Sequence, residues 1–292
     1  MADLVPLPRI ILESLLRTAL LEDFGLAGDL TSSAVIPKDL HAATILAARQ
    51  PGVIAGIEIA RLAFELCSPE IELDVRQTDG SPVSKGDIIA AVSGPAHGIL
   101  AGERTALNFL CHLSGIATAT ATFVAAVRGY KTRISCTRKT TPGLRAIEKY
   151  AVRAGGGINH RFGLADAILI KDNHIAMAGG IRNAMRHVRR NLGHLVKIEV
   201  EVDALDQLEE ALRYGPDAVL LDNMPPEEVQ RAVMLVAGRA MVEASGGVTL
   251  ETAPAIAAAG VDVISVGWLT HSAPNLDIAL DFNEFQGEGW LL

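Results

Sequence analysis

Residues Lys197–Gly247 read KIEVEVDALDQLEEALRYGPDAVLLDNMPPEEVQRAVMLVAGRAMVEASGG. Three short apolar runs, Lys197–Val202, Ala218–Asp222 and Ala240–Ser245, alternate with two helical patterns, Leu205–Tyr214 and Pro226–Ala237. Each run has the length of a buried strand, and Gly, Pro or Asp marks where the helices start or stop. The pattern is a repeated βα unit, and it extends in both directions. Upstream, Ile134–Thr137 and Ala167–Lys171 read as strands, with a helix over Gly179–Arg190; downstream, a helix over Thr249–Ala259 leads to a strand at Val263–Gly267. Such alternation predicts a parallel sheet buried on both faces. Every run ends on a polar residue or Gly: Arg138 and Lys139, Lys171, Glu201, Asp222, Ser245 with Gly246 and Gly247, then Gly267. In a parallel barrel these ends converge on the face where barrel enzymes carry their chemistry. An open doubly wound sheet is the other solution, but no GxGxxG follows the first strand of a βαβ unit. Six strands are clear, so the expected fold is an incomplete α/β barrel of six or seven strands, the seventh within Ile158–Gly163.

The chain before about Ser114 has a different pattern. A helix over Pro8–Glu22 precedes strand-like runs at Ala42–Ala48, Val53–Ile57, Ile71–Arg76 and Ile88–Ser93, with a helix over Ala60–Leu66 among them. These elements predict an N-terminal α+β sandwich domain over residues 1–114. A long apolar helix, about residues 99–127 and interrupted near Ser114 and Gly115, connects it to the barrel domain over 115–274. The tail, 275–292, is expected to pack back on the first domain.

Composition narrows the function. At 292 residues the chain can fill two cores, and with 49% hydrophobic but 4% aromatic residues those cores consist mainly of Ala, Val, Ile and Leu. Arg9, Glu13 and Arg17 recur at helical intervals in the first apolar stretch, which therefore reads as an amphipathic helix and not as a signal or a membrane span. Cys67, Cys111 and Cys136 are far apart and form no CxxC pair, so buried thiols are expected and neither a disulfide framework nor a zinc site; the protein reads as soluble and cytoplasmic. Charge is unevenly placed. From Arg128 to Lys197 there are 15 Lys or Arg against Glu148, Asp166 and Asp172, a local balance of +12 in a chain of net charge -8. Arg186, Arg189 and Arg190 read as a solvated helix face, but the remainder predicts a surface for a strongly anionic small ligand. The acidic total and the scarcity of aromatic residues argue against nucleic acid.

The segments ERTALNFLCHLSGIATAT, TRKTTPGLRAIEKYAVRAGGGINHRFGLADAILIKDNH, IEVEV, LLDNM, EASGG and ISVGWLTHS occur in this order over nearly the whole chain. In this combination the sequence resembles the quinolinate phosphoribosyltransferases; TRKTTPGLR, NHRFGL and LIKDNH are the specific elements. One departure is visible: many family members carry Asp where Cys136 precedes Thr137. The resemblance implies transfer of a phosphoribosyl group from phosphoribosyl pyrophosphate to the ring nitrogen of quinolinate, with Mg²⁺, giving nicotinate mononucleotide, pyrophosphate and CO2. It further implies that Thr137, Arg138, His160, Arg161 and Lys171 line the quinolinate pocket, which Arg104 reaches from the other subunit of a homodimer, with higher assembly open. Lys139 then contacts pyrophosphate, while Ser245, Gly246 and Gly247, with Val266, Gly267 and Trp268, hold the 5-phosphate. Glu201 and Asp222 bind the ribose hydroxyls and Mg²⁺, directly or through water or substrate, and share the catalytic role with Lys139 and Lys171.

The residue chemistry points the same way. Quinolinate carries adjacent carboxylates, which planar guanidinium groups grip through paired hydrogen bonds that Lys cannot duplicate. Backbone N–H groups of small-residue turns at strand ends suit a phosphate. Glu199 and Asp203, which alternate with Glu201, read as acidic surface residues facing away from it. Three alternatives stay open: a molybdenum-associated relative of the same fold, a Schiff-base lyase using Lys171, and a non-catalytic anion-binding scaffold. Lys139 and His160 are both candidates for delivering the proton that replaces the lost carboxylate.

Overall fold

An apolar residue at every fourth position starts the fold: in α1 (Arg9–Phe24), Leu12, Leu16 and Leu20 form one buried stripe. The structure, a computed structural model, describes residues 4–282. Asp29 caps α2 (Leu30–Val35) by accepting the Ser32 N–H at 2.9 Å. Next come β1 (His41–Ala48), β2 (Gly52–Val53), α3 (Ile57–Cys67), β3 (Glu72–Val75), β4 (Pro82–Val83) and β5 (Ile88–Pro95). The strand expected over Val53–Ile57 is cut short because Asp79 takes the N–H groups of Gly56 and Ile57 at 2.9 and 3.0 Å and starts α3 there. Tyr150 donates to the other Asp79 oxygen at 2.6 Å.

α4 (Ala96–Ala126) runs for 31 residues without the expected interruption. Ser114 is fully buried, and its Oγ accepts the Ala55 N–H at 3.0 Å. Gly115 admits the Pro274 carbonyl where a Cβ would collide with it, so this glycine serves close approach and not a helix break. By length and composition α4 could cross a membrane. Instead Ala106, Leu107, Leu110, Leu113 and Ile116 are buried in the fold.

The chain groups into two units, one of residues up to 119, 146–156 and from 273, the other of 120–145 and 157–272. The second unit follows the βα alternation: β6 (Arg133–Ser135), α5 (Arg145–Ala154, most of which groups with the first unit), β7 (Ile168–Ile170), α6 (Asp172–Ala178), α7 (Ile181–Asn191), β8 (Ile198–Val202), α8 (Leu205–Leu212), β9 (Ala218–Asp222), α9 (Pro226–Val236), β10 (Met241–Ser245), α10 (Ala253–Ala258), β11 (Val263–Ser265) and α11 (Trp268–His271). Its six strands are parallel in the order β6-β11-β10-β9-β8-β7, the cyclic order of a barrel left open between β6 and β7. The expected seventh strand supplies a single bridge in that gap, Ile158 to Ser135. Beyond it the Asp166 carboxylate captures the N–H groups of Phe162 and Gly163 and turns the chain into a loop. α10 is also shorter than expected, and α6 was not foreseen. Apolar stripes such as Val229, Ala232 and Val236 on α9 are buried on the outer face of the sheet.

The chain then returns to the first unit. β12 (Ile278–Phe282) pairs with β1, completing an antiparallel sheet of order β12-β1-β5-β3. The remainder of the tail, from 283, lies outside the described residues. All three cysteines are free thiols; Cys136 is buried, whereas Cys67 and Cys111, expected to be buried, are partly exposed.

Candidate active site

The carboxyl ends of β6 to β11 line a cavity of about 920 Å³. The loop after β6 supplies Thr137, Arg138 and Lys139, the segment after the Ile158 bridge supplies His160 and Arg161, and Lys171 follows β7. β8 supplies Glu201, β9 Asp222, and the end of β10 Ser245 with Gly246 and Gly247; Val266, Gly267 and Trp268 follow β11. Arg104 is not among the lining residues. It lies on α4 in the first unit, with 66% of its side chain exposed and Nη2 4.0 Å from Glu103.

Two guanidinium groups dominate one side of the cavity. Among the described residues, Arg138 Nε and Arg161 Nε are buried without a hydrogen-bond partner, although Arg161 Nη1 donates to the Ala167 carbonyl at 2.8 Å. Burial, and then the charge of Arg138, lowers the Arg161 pKa from its ordinary value. Two adjacent cations with unsatisfied N–H groups are relieved by an anion. Lys171 Nζ stands 2.6 Å from Glu201 Oε2, and the Lys171 backbone N–H donates to His174 Nδ1 at 3.0 Å as α6 begins. Lys139 is held by its backbone: its N–H donates to Thr137 Oγ1 at 3.0 Å, and its carbonyl accepts from Thr270 Oγ1 at 2.8 Å.

On the acidic side Asp222 and Gly246 form one unit with Asn223. Asn223 Nδ2 donates to Asp222 Oδ2 at 2.8 Å, and the Asn223 N–H donates to the Ser245 carbonyl at 2.9 Å. Asn223 has φ 55, a conformation that Asn tolerates better than most residues. Gly246 has φ 88, and a Cβ there would collide with Asn223 Oδ1 and come within 2.9 Å of Asp222 Oδ1. Phe123 and Trp268 form an aromatic wall, ring centroids 6.4 Å apart and tilted by 49°.

Glu199 is not a surface residue. Successive strand residues alternate, so residues two apart share a face; Glu199 points to the same side as Glu201, and its carboxylate lies 2.9 Å from His160 Nε2. Glu243 Oε1 is 3.6 Å from the same nitrogen. Burial, and then the Glu199 charge, pushes the Glu243 pKa up to about 7. Among the described residues, His160, Glu199 and Glu243 could hold a metal ion, their donor atoms all lying within 4.8 Å of one another. Glu201 and Asp222 offer further carboxylate oxygens to the same cavity.

Asn223, Glu199 and Glu243 were missed in the sequence. A charge inside an apolar run, two residues before a strand-end polar group, marks both Glu199 and Glu243. Phe123 carries no such signal.

Models of the C-terminal and N-terminal domains of quinolinate phosphoribosyl transferase match residues 116–281 and 29–114. The chain is 46% identical over 270 residues to a probable nicotinate-nucleotide pyrophosphorylase (carboxylating) of Bacillus subtilis, covering 92% of this chain and 93% of that one. Identity to the nicotinate-nucleotide pyrophosphorylase (carboxylating) of Mycobacterium leprae is 45% over 271 residues, covering 91% and 95%. The crystal structure of NadC from Streptococcus pyogenes matches with a TM-score of 0.92 at 39% identity, over 96% of this chain and 99% of that one. The nicotinate-nucleotide pyrophosphorylase of Francisella tularensis gives 0.91 at 37%, over 97% and 100%. With the models of both domains matched in sequence order over most of the chain, this chain belongs to the quinolinate phosphoribosyltransferase family.

Proposed function

We propose that the chain is a carboxylating nicotinate-nucleotide pyrophosphorylase, a pentosyltransferase of NAD biosynthesis. It transfers the phosphoribosyl group of phosphoribosyl pyrophosphate to the ring nitrogen of quinolinate and releases nicotinate mononucleotide, pyrophosphate and CO2. The observation that carries this reading is the pair of buried, unpartnered guanidinium N–H groups of Arg138 and Arg161 in the same cavity as His160 and Lys171. Adjacent carboxylates on a planar ring are what such a cluster grips. Thr137 completes this acceptor subsite.

The remaining strand ends receive the donor. Backbone N–H groups of Ser245, Gly246 and Gly247, and of Val266, Gly267 and Trp268, take the 5-phosphate, and Lys139 takes the pyrophosphate. Glu201 and Asp222 face the ribose, where positive charge grows at C1 as pyrophosphate leaves and the pyridine nitrogen attacks; carboxylates there are stronger partners in the transition state than in the ground state. Bound Mg²⁺, held by Glu201 and Asp222 directly or through water, would neutralise pyrophosphate charge. Lys171 ties Glu201 in place and meets a quinolinate carboxylate. Once the ring nitrogen is quaternised, the pyridinium accepts the electron pair of the breaking C2–carboxylate bond, and a proton replaces CO2 at C2.

The Lys171–Glu201 pair disfavours the Schiff-base alternative, since an ion-paired, partly exposed ammonium lacks the apolar pocket of a nucleophilic lysine. Arg104, exposed on its helix, is available to a second subunit, so the working unit is a homodimer with a shared site. Free thiols and a net charge of -8 suit a soluble cytoplasmic enzyme. The test is formation of nicotinate mononucleotide and CO2 from quinolinate and phosphoribosyl pyrophosphate with Mg²⁺, nicotinate serving as control. Product from quinolinate alone supports the reading. No product from folded protein that still binds phosphoribosyl pyrophosphate would overturn the choice of acceptor.

A further inference from the structure

The inner face of this barrel carries two acids where a parallel barrel ordinarily carries branched aliphatic residues. Glu199 on β8 lies two residues before Glu201, and Glu243 on β10 two residues before Ser245. Each is therefore beneath a strand-end residue on the same face. The corresponding positions on β7 and β9 are Leu169 and Leu220, both buried. The sheet has no need of acids there, and burying a carboxylate opposes folding.

What these acids meet is His160. Its Nε2 lies 2.9 Å from Glu199 Oε2 and 3.6 Å from Glu243 Oε1. His160 comes from a segment without regular secondary structure, two residues beyond the single Ile158 bridge. No strand ladder runs through this segment, and two acids anchored on strands of the barrel meet the ring at Nε2. We propose that Glu199 and Glu243 are positioning residues of the acceptor subsite, holding the His160 ring by its Nε2 edge and so setting the orientation in which it meets the pyridine dicarboxylate. This inference rests on the reading of the cavity as a quinolinate site.

The two acids have different parts. Glu199 takes the imidazole N–H. Glu243 backs this contact: its Oε1, 3.6 Å from the same nitrogen, is buried without a hydrogen-bond partner among the described residues.

Steady-state kinetics of the full-length chain test this, with quinolinate varied at saturating phosphoribosyl pyrophosphate and the reverse. Glu199→Leu and Glu243→Leu are expected to raise the quinolinate KM about tenfold and to leave the phosphoribosyl pyrophosphate KM within about twofold. Glu243→Gln, which keeps the length and polarity of the side chain that packs against Nε2, is expected to recover most of the loss seen with Glu243→Leu. In a His160→Asn background, Glu199→Leu adds no further loss, because it acts through a ring no longer present. An unchanged quinolinate KM in folded Glu199→Leu enzyme, equal rises for both substrates, or full additivity with His160→Asn would each overturn the proposal.

Should the leucine variants not fold, ¹⁵N spectra of histidine-labelled unsubstituted enzyme decide, with His160 identified by its loss in His160→Asn. Nε2 must carry the proton; a bare Nε2 sinks the proposal. The two failures are distinguishable. No product from the unsubstituted enzyme defeats the functional reading, whereas an active enzyme indifferent to Glu199 defeats this inference alone.

Discussion

Arg161 shows what a single residue contributes that charge alone does not. Its Nη1 is committed to the Ala167 carbonyl, while its Nε is buried and unpartnered beside Arg138. Lysine would keep the charge but could not make the structural bond and face the ligand at once. Arg161→Lys should therefore cost about 1.5–3 kcal/mol of quinolinate binding, the range of one charge-assisted hydrogen bond. That is roughly a 10- to 150-fold rise in Kd; calorimetric titration with quinolinate checks it, and a change below twofold would show that the guanidinium fork is not used. Glu243 makes a prediction about stability. Its pKa rises from the ordinary 4.5 to about 7 through burial and the Glu199 charge, opposed by His160. A raised folded-state pKa gives stability that is complete below pH 4.5 and is lost as pH climbs through about 7. Urea midpoints of the unsubstituted chain should fall across that window more than those of Glu243→Gln; parallel curves would mean that Glu243 ionises freely. At this scale the sequence exposed the cations, which stand out in a segment with few acids. It concealed Glu199, because strand alternation was read the wrong way round, and Glu243, because one acid in an apolar run looks like a strand edge until a partner from elsewhere in the chain is seen.

Elements explain why two glycines resist substitution for opposite reasons. In α4, alanine at position 115 would gain about 1 kcal/mol of helix propensity. The added methyl would run into the Pro274 carbonyl, and backbone cannot yield as a side-chain tip does, so an overpacking cost of about 1–3 kcal/mol prevails. Gly115→Ala should lower the urea midpoint without changing either KM of the folded fraction. Gly246→Ala should do the reverse. Its φ of 88 and the contact with Asn223 and Asp222 place the strain at the end of β10, so the phosphoribosyl pyrophosphate KM rises while that for quinolinate holds. Equal rises in both would show that the two rims are not separate subsites. The six parallel strands were legible because each is a short apolar run bounded by turn residues, a local property. The continuity of α4 was not: Ser114 and Gly115 resemble a break until the partners that use them, Ala55 and Pro274, come from 59 residues before and from far downstream. The seventh strand failed similarly, since Asp166 diverts the backbone after Ile158.

At the scale of the molecule, Arg104 is the residue that the cavity does not explain. The same sequence pattern that nominates Arg138, Arg161 and Lys171 nominates it, yet it sits in the first unit with two thirds of its side chain in solvent. The acid beside it among the described residues, Glu103, stands at 4.0 Å, too far for a strong bond and weak on an exposed face. If Arg104 serves the acceptor subsite of a second subunit, then a dimer in which one chain lacks Arg104 and the other lacks Arg161 contains one intact site in two. Arg104→Ala and Arg161→Ala should each be nearly inactive alone, and a mixture after subunit exchange should recover about a quarter of the unsubstituted activity, since random pairing makes half the dimers mixed and each has one intact site. Subunit exchange is followed independently by native mass spectrometry of differently labelled chains. Demonstrated exchange with no recovered turnover would place both arginines in the same chain's site or put Arg104 outside catalysis, and the dimer would then be structural only.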